Sequence, residues 1–271
     1  MGIHNSSLTR VQPVFNALLD DTPWLRTICR LAASTRPDVD VAVPSTVGRI
    51  AAAQFAADPQ GRLGTVFERV IAPPAAFLLW LLENPDRMQV DDDVTFGAAG
   101  EAAREWRRRL FSSDSALRAE AQREGIARLA ESGAQGSSRA WWAFEGFTHV
   151  DCCLITDHAV VCVEGKRMET VSASTRWFTQ RSQLWRNVEA AEQFAAPKEF
   201  AVILAVEHPH EGTTALREAE RTLADSYPHL SPERQAGLSR HLLGFVTWPD
   251  VVAQFALPPE CLVEQICARS G

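Results

Sequence analysis

The chain is 271 residues long, 46% hydrophobic and 23% charged, with a formal net charge of −7. That balance describes an ordinary globular protein, with chain enough for one large domain or for a core with a substantial appendage. The acidic net charge speaks against a protein that coats nucleic acid through overall basicity, although local basic surface and a bound divalent cation can still hold phosphate.

Residues 1 to about 95 predict a mostly helical region, broken at Pro37, Pro44, Pro59 and the Pro73–Pro74 pair. Phe77, Leu78, Trp80, Leu81 and Leu82 form a dense apolar patch that reads as buried core. Asp91, Asp92 and Asp93 read as a solvated loop, and they separate this region from a second unit, residues 96–271. EAAREWRRRLF and ALRAEAQREGIARLAES then predict two helices, with Arg104, Arg107, Arg108 and Arg109 on a stripe whose plain reading is a solvated face. GAQGSS follows as a connector. WWAFEGF, HVDCCLI and AVVCVEGK read as three consecutive antiparallel strands joined by short turns. Gln180 to Ala196 predicts a helix, with Leu184, Val188, Ala191 and Phe194 at helical spacing. EFAVILAV suits a central strand, two helices follow near 213–226 and 231–242, and LGFVTW reads as a last strand before a short helix. The order predicts an α/β protein with a mixed sheet flanked by helices, preceded by the helical N-terminal region.

The longest apolar run, Val70 to Leu82, contains two prolines and is too short to span a bilayer. The first residues hold no uninterrupted apolar stretch, so the expectation is a chain without signal peptide or membrane partner, placed in the cytoplasm. Six cysteines, Cys29, Cys152, Cys153, Cys162, Cys261 and Cys267, form no C-x-x-C pair and read as small buried hydrophobes.

The informative pattern is Asp151 followed by Glu164-Gly165-Lys166. Side chains alternate on a strand, so Glu164 and Lys166 share a face, and the turn near Thr156–His158 folds Asp151 back beside them. Two adjacent carboxylates repel, and a hard divalent cation resolves the repulsion. A lysine beside that cation can orient or deprotonate a water, its pKa lowered by the ion's charge and by burial. The plain alternative is a buried Glu164–Lys166 ion pair with Asp151 capping a turn. Two features favour the chemical reading: unpaired charge is expensive within apolar strands, and Lys166 and Lys198 are the two lysines among 27 Lys+Arg. Glu145 precedes Asp151 by six residues and is either a further acidic ligand or a strand-end residue, depending on whether Gly146 breaks the register. Arg167 and Arg176 are the arginines placed to line a phosphate path. His208 and His210 read as a strand-end turn.

The stretch around these residues resembles the PD-(D/E)XK nuclease superfamily, with its restriction-endonuclease-like core of a helix, three strands, a helix and a further strand. The match covers residues 98–207, under half of the chain. The motif's first acid falls on Asp151, preceded by Val150 where the motif has proline, and its second acid and lysine fall on Glu164 and Lys166. The stretch is also similar to a group of bacterial proteins of this architecture. The resemblance implies phosphodiester hydrolysis, with DNA as the substrate and Mg2+ (Mn2+ as a substitute) as cofactor. It implies Asp151 and Glu164 as ligands, the Gly165 carbonyl as a third, and Lys166 positioning or activating water. Gln183 or Gln180 takes the place of a glutamine on the following helix. A second copy or a partner protein is expected to meet the N-terminal region. The alternative is a non-catalytic nucleic-acid- or protein-binding module that keeps the fold.

Overall fold

Apolar runs with almost no charges form strands buried on both faces, and EFAVILAV and AVVCVEG do so here. A computed structural model describes residues 6–18, 24–55, 69–90, 93–134 and 139–262. Its centre is a five-stranded mixed sheet made of β1 (Ile50–Phe55), β4 (Cys152–Thr156), β5 (Ala159–Gly165), β6 (Glu199–Val206) and β7 (Leu242–Thr247), in that order. β4 is antiparallel to β1 on one side and to β5 on the other, whereas β5–β6 and β6–β7 are parallel. The β4–β5 turn is held by Thr156, whose hydroxyl accepts from the Ala159 N–H at 2.8 Å and donates to the Ala159 carbonyl at 3.0 Å.

Strand residues alternate between two cores. Val161, Val163, Ala201 and Ile203 face a layer built by α1 (Gln12–Leu18), α2 (Trp24–Ser34) and α10 (Trp248–Gln254). Val160, Cys162, Val202 and Leu204 face α6 (Gln183–Ala195), α7 (Pro209–Arg221) and α9 (Pro232–Ser239). The short helix α8 (Leu223–Ser226) links the last two. A third cluster joins α3 (Ala75–Glu83), α4 (Gly100–Leu110) and α5 (Ser115–Ser132) to Trp141, Trp142, Phe144, Trp177 and Phe178.

Three expectations change. WWAFEGF is not a strand: its aromatic side chains are buried among α3–α5, and pairing begins only at β3 (Thr148–Val150), which joins β2 (Arg69–Ile71) in a separate two-stranded sheet. The mostly helical region before residue 95 also holds two strands that its sequence did not suggest, β1 and β2. Nor does residue 95 divide the packing: Val14, Leu25, Ala53 and Phe55 share one core with Leu154 and Val163. The arginine stripe on α4 is largely neutralised by its own helix, with Arg108 on Glu101 at 2.8 Å and Arg109 on Glu105 at 3.2 Å.

Cys29, Cys152, Cys153, Cys162 and Cys261 are free and buried; Cys267, Asp91 and Asp92 lie outside the described residues. Burial pushes the Cys29 thiol up to about 12. Among the described residues no helix is long and apolar enough to cross a membrane.

Candidate active site

Asp151 stands at a bend, where the chain leaves the β2–β3 sheet and enters β4. β4 has no backbone left to pair with the end of β5, and the Asp151 side chain takes its place: Oδ2 accepts the Gly165 N–H at 2.8 Å. Its other oxygen accepts from the Ser7 hydroxyl at 3.0 Å. Ser7 belongs to a π-helical turn, Ser7–Val11, which crosses the end of β5. Val11 makes glycine necessary in the E-G-K triplet. A Cβ at Gly165 would lie 2.5 Å from Val11 Cγ2 and 3.2 Å from Trp248 Cζ2, closer than side-chain carbons approach.

Glu164, one residue earlier, is 2% exposed and faces α6. Its Oε1 accepts from Gln183 Nε2 at 2.6 Å and meets Lys166 Nζ at 2.7 Å, while Oε2 accepts from Asn187 Nδ2 at 2.7 Å. Gln183 and Asn187 are one helical turn apart, so α6 grips the carboxylate from a single face. Lys166 is fixed through its main chain, with its N–H on the Ala205 carbonyl at 2.7 Å and its carbonyl on Trp248 Nε1 at 2.9 Å. Burial works against the Lys166 charge. The carboxylates of Glu164, Asp151 and Glu169 outweigh it and hold the ammonium above its ordinary pKa. The lowering by burial expected at Lys166 is thus outweighed by its three neighbouring carboxylates. The π-helical turn is stapled down by Arg10, whose guanidinium meets both oxygens of Glu207 at 2.8 and 2.9 Å.

Lys166 borders a cleft of about 300 Å³ whose lining includes Met168, Val171, Val206 and His210, and also Glu169, Glu211 and Glu218. The Glu169 carboxyl sits below the usual carboxylate range. Burial opposes this, but the N–H groups of Arg167, Ser6 and Met168 outweigh it.

The remaining sequence candidates are dispersed. Glu145 is not beside Asp151. It is buried against Arg181 (2.9 and 3.3 Å), which also reaches Glu189 at 2.7 Å and lies 4.0 Å over the Phe77 ring. The reason is that the chain bends at Glu145 and pairs only from Thr148 onward, so no strand parity links Glu145 to Asp151. Arg167 is buried, not on an exposed path. Arg176 lies 3.8 Å over the Phe96 ring and 4.0 Å from Asp93. Gln180 is exposed, and its carbonyl accepts from Ser226 rather than touching the site. Of the two glutamines, Gln183 is the one on Glu164. His208 caps α7, with its ring stacked on His210. Ser7, Asn187 and Trp248 were not foreseen. Asn187 carried a signal, being four residues after Gln183 on the same predicted helix.

Asp151, Glu164 and the Gly165 carbonyl offer an oxygen-only donor set with two negative charges, which suits a small hard cation. Among the described residues no three His, Cys, Asp or Glu side chains gather into a metal-binding group. Magnesium fits that limit, since it keeps several of its waters and takes one or two carboxylates. Comparison with protein-family models, curated proteins and solved structures returns no match for this chain.

Proposed function

We propose that the protein is a magnesium-dependent nuclease acting on DNA, with Asp151, Glu164 and Lys166 as its chemical centre. The observation that carries this is the convergence of two carboxylates and one lysine at the end of β5, with Glu164 and Lys166 2.7 Å apart and Asp151 on the Gly165 N–H. The strand order supports it as well. The match over residues 98–207 loses its first strand, since residues 141–147 form none; the helix, three strands, helix and strand of that core can instead be laid on α2, β1, β4, β5, α6 and β6, with residues 56–151, including β2 and β3, between the first two strands.

Asp151, Glu164 and the Gly165 carbonyl would hold the cation. When bound, it would polarise a phosphodiester and offset the charge that builds up during attack. Gln183 and Asn187 fix the Glu164 carboxylate, and Ser7 fixes that of Asp151, so neither acid has to be ordered on binding. Lys166 places its Nζ 2.7 Å from Glu164, at the rim of the cleft. It acts there as a donor that orients a water or a phosphate oxygen.

The test combines magnesium titration by calorimetry, wild type against Asp151→Ala, with cleavage of labelled DNA by Lys166→Ala. Asp151→Ala should lose magnesium binding, and Lys166→Ala should lose on the order of 10²–10⁴ in rate while still binding magnesium. Unchanged cleavage by Lys166→Ala rules out its role. A second reading has its own support: each Glu164 oxygen already has a partner, as in a purely structural ion network or a non-catalytic module. No magnesium binding by the wild type selects that reading.

A further inference from the structure

The cleft beside Lys166 has more apolar wall than a phosphate site needs. Residues 168–173 form one wall. The other is one face of α7, where His210, Thr214 and Glu218 recur every four residues with Ala215 beside them. Val206, at the end of β6 and 2% exposed, lines it as well. The first wall is tied to the chemical centre through Gln183. The Gln183 N–H donates to the Ser172 carbonyl at 2.8 Å, its Oε1 accepts the Ser172 N–H at 3.2 Å, and its Nε2 holds Glu164 at 2.6 Å. One residue of α6 thus keeps the cleft and the Glu164 carboxylate in a fixed relation.

Met168 is 73% exposed, well beyond any other large apolar side chain among the described residues. It stands two residues after Lys166, at a cleft whose walls include Val171, Val206 and Ala215. Methionine moulds itself to aromatic surfaces, and its sulfur favours ring edges. His210 adds an aromatic ring, stacked on His208 at 5.6 Å between centroids, and histidine is one of the side chains on which bases stack. The polar groups of the lining are mainly acceptors held by the fold. Glu169 takes the N–H groups of Ser6, Arg167 and Met168 at 3.0 to 3.3 Å, Glu211 takes that of His208 at 2.9 Å, and Glu218 meets Arg221 at 2.5 Å. No arginine lies in the described lining, and its one lysine, Lys166, is held on Glu164 at 2.7 Å. Such walls suit a flat ring with amino groups, which carboxylates accept from, better than they suit a phosphate.

The geometry points to a cleft that receives a nucleobase out of its stack, next to the phosphodiester presented at Lys166. This rests on the nuclease reading and names its substrate: an unpaired nucleotide, in a single strand or turned out of a duplex. At about 300 Å³ the space sits at the lower bound of pockets that enclose small molecules, about 300–1,000 Å³, so a base can enter without its partner strand. Turning a base out of a duplex is least costly where it is already mismatched or unpaired. The cleft therefore selects such positions for cleavage.

The test has one arm without phosphate or metal. Deoxyadenosine is titrated into the full chain in EDTA and followed by ligand-observed NMR, with deoxyribose as the control. The wild type should bind deoxyadenosine and not deoxyribose. Thr214→Trp, which fills the cleft from α7, and Met168→Asp should each weaken that binding at least fivefold. Both positions are exposed, so the fold does not depend on them. Arg217→Gln, exposed on α7 outside this cleft, should leave binding within twofold. The second arm measures cleavage in magnesium of a single strand, a duplex with one mismatch and a fully paired duplex. The wild type should cut the first two at least tenfold faster than the third, and Thr214→Trp should lose most of that preference. Absence of deoxyadenosine binding by the wild type, or undiminished binding in both cleft variants, overturns the base site even where DNA is cut. Equal cutting of paired and unpaired DNA overturns the selection for unpaired nucleotides. Deoxyadenosine binding by a chain that cuts no DNA removes the nuclease reading and leaves the base site standing.

Discussion

Glu164→Ala separates two accounts of the candidate site by stability alone. If repulsion between Asp151 and Glu164 dominated in the absence of a cation, removing one acid would stabilise the protein. The structure argues the reverse. The Glu164 carboxylate is 2% exposed and receives three donors, at 2.6, 2.7 and 2.7 Å. Its removal leaves the Lys166 ammonium, 14% exposed, without its nearest counter-charge, and leaves the Gln183 and Asn187 amides without their acceptor. Breaking one side of a buried ion pair costs about 3–5 kcal/mol. For a chain of this size each kcal/mol is worth about 2 °C, so the melting temperature should fall by about 6–10 °C. The assay is thermal unfolding in EDTA, with Lys166→Met and the double variant completing a cycle. The double variant should recover part of the loss, because no stranded charge remains. A Glu164→Ala protein as stable as the wild type, or more stable, refutes the reasoning and restores repulsion as the governing effect.

Gly165→Ala places a carbon 2.5 Å from Val11 Cγ2, so the π-helical turn must shift; the expected loss is about 1–3 kcal/mol, read by urea melts, and no loss would mean the turn yields freely. Glu189 is held below its ordinary pKa of 4.5: burial opposes this, but Arg181 and His229 outweigh it. Its stabilisation is therefore fully present above pH 4.5 and lost as the pH falls through the lower folded value. The gap in urea-melt stability between wild type and Glu189→Gln should shrink on acidification from neutral pH; a gap constant across that range excludes the buried charge as its source.

The strands β5 and β6 were legible because an unbroken apolar run has few other places to go, and α6 because its apolar positions repeat at helical spacing. The edge strand β1 was not. IAAAQF is rich in alanine, whose intrinsic preference is helical, and its strand state is imposed by pairing with Cys152–Thr156 about a hundred residues later. WWAFEGF misled in the opposite direction: aromatics favour strands on average, but here they fill the space between α3, α4 and α5. At the site, Glu164 and Lys166 could be placed from strand parity, and Gln183 from the resemblance. Ser7 and Trp248 could not, because they meet Asp151 and Lys166 respectively only through the packing of the N-terminal helices and α10 on the first core.

Binding of DNA should depend on magnesium more than on basic surface, for a reason visible at the cleft. The approach to Lys166 is lined by Glu169, Glu211 and Glu218, and Lys166 itself is held against Glu164, next to the Gly165 N–H that Asp151 accepts. A polyanion entering there meets five carboxylates and one ammonium, so in EDTA its affinity should be weak. Few counterions would be displaced, giving a shallow slope of log affinity against log salt. A divalent ion on Asp151 and Glu164 removes charge from the deepest pair and meets the phosphate directly. In Lys166→Ala, which should not cleave, magnesium should then tighten binding by at least about tenfold, the equivalent of one charge-assisted contact. Fluorescence anisotropy with a labelled duplex, with and without magnesium and at several salt concentrations, measures both quantities. Equal affinity with and without the cation would mean that DNA avoids this cleft, and the exposed surface of α4 and α5 would become the face to mutate.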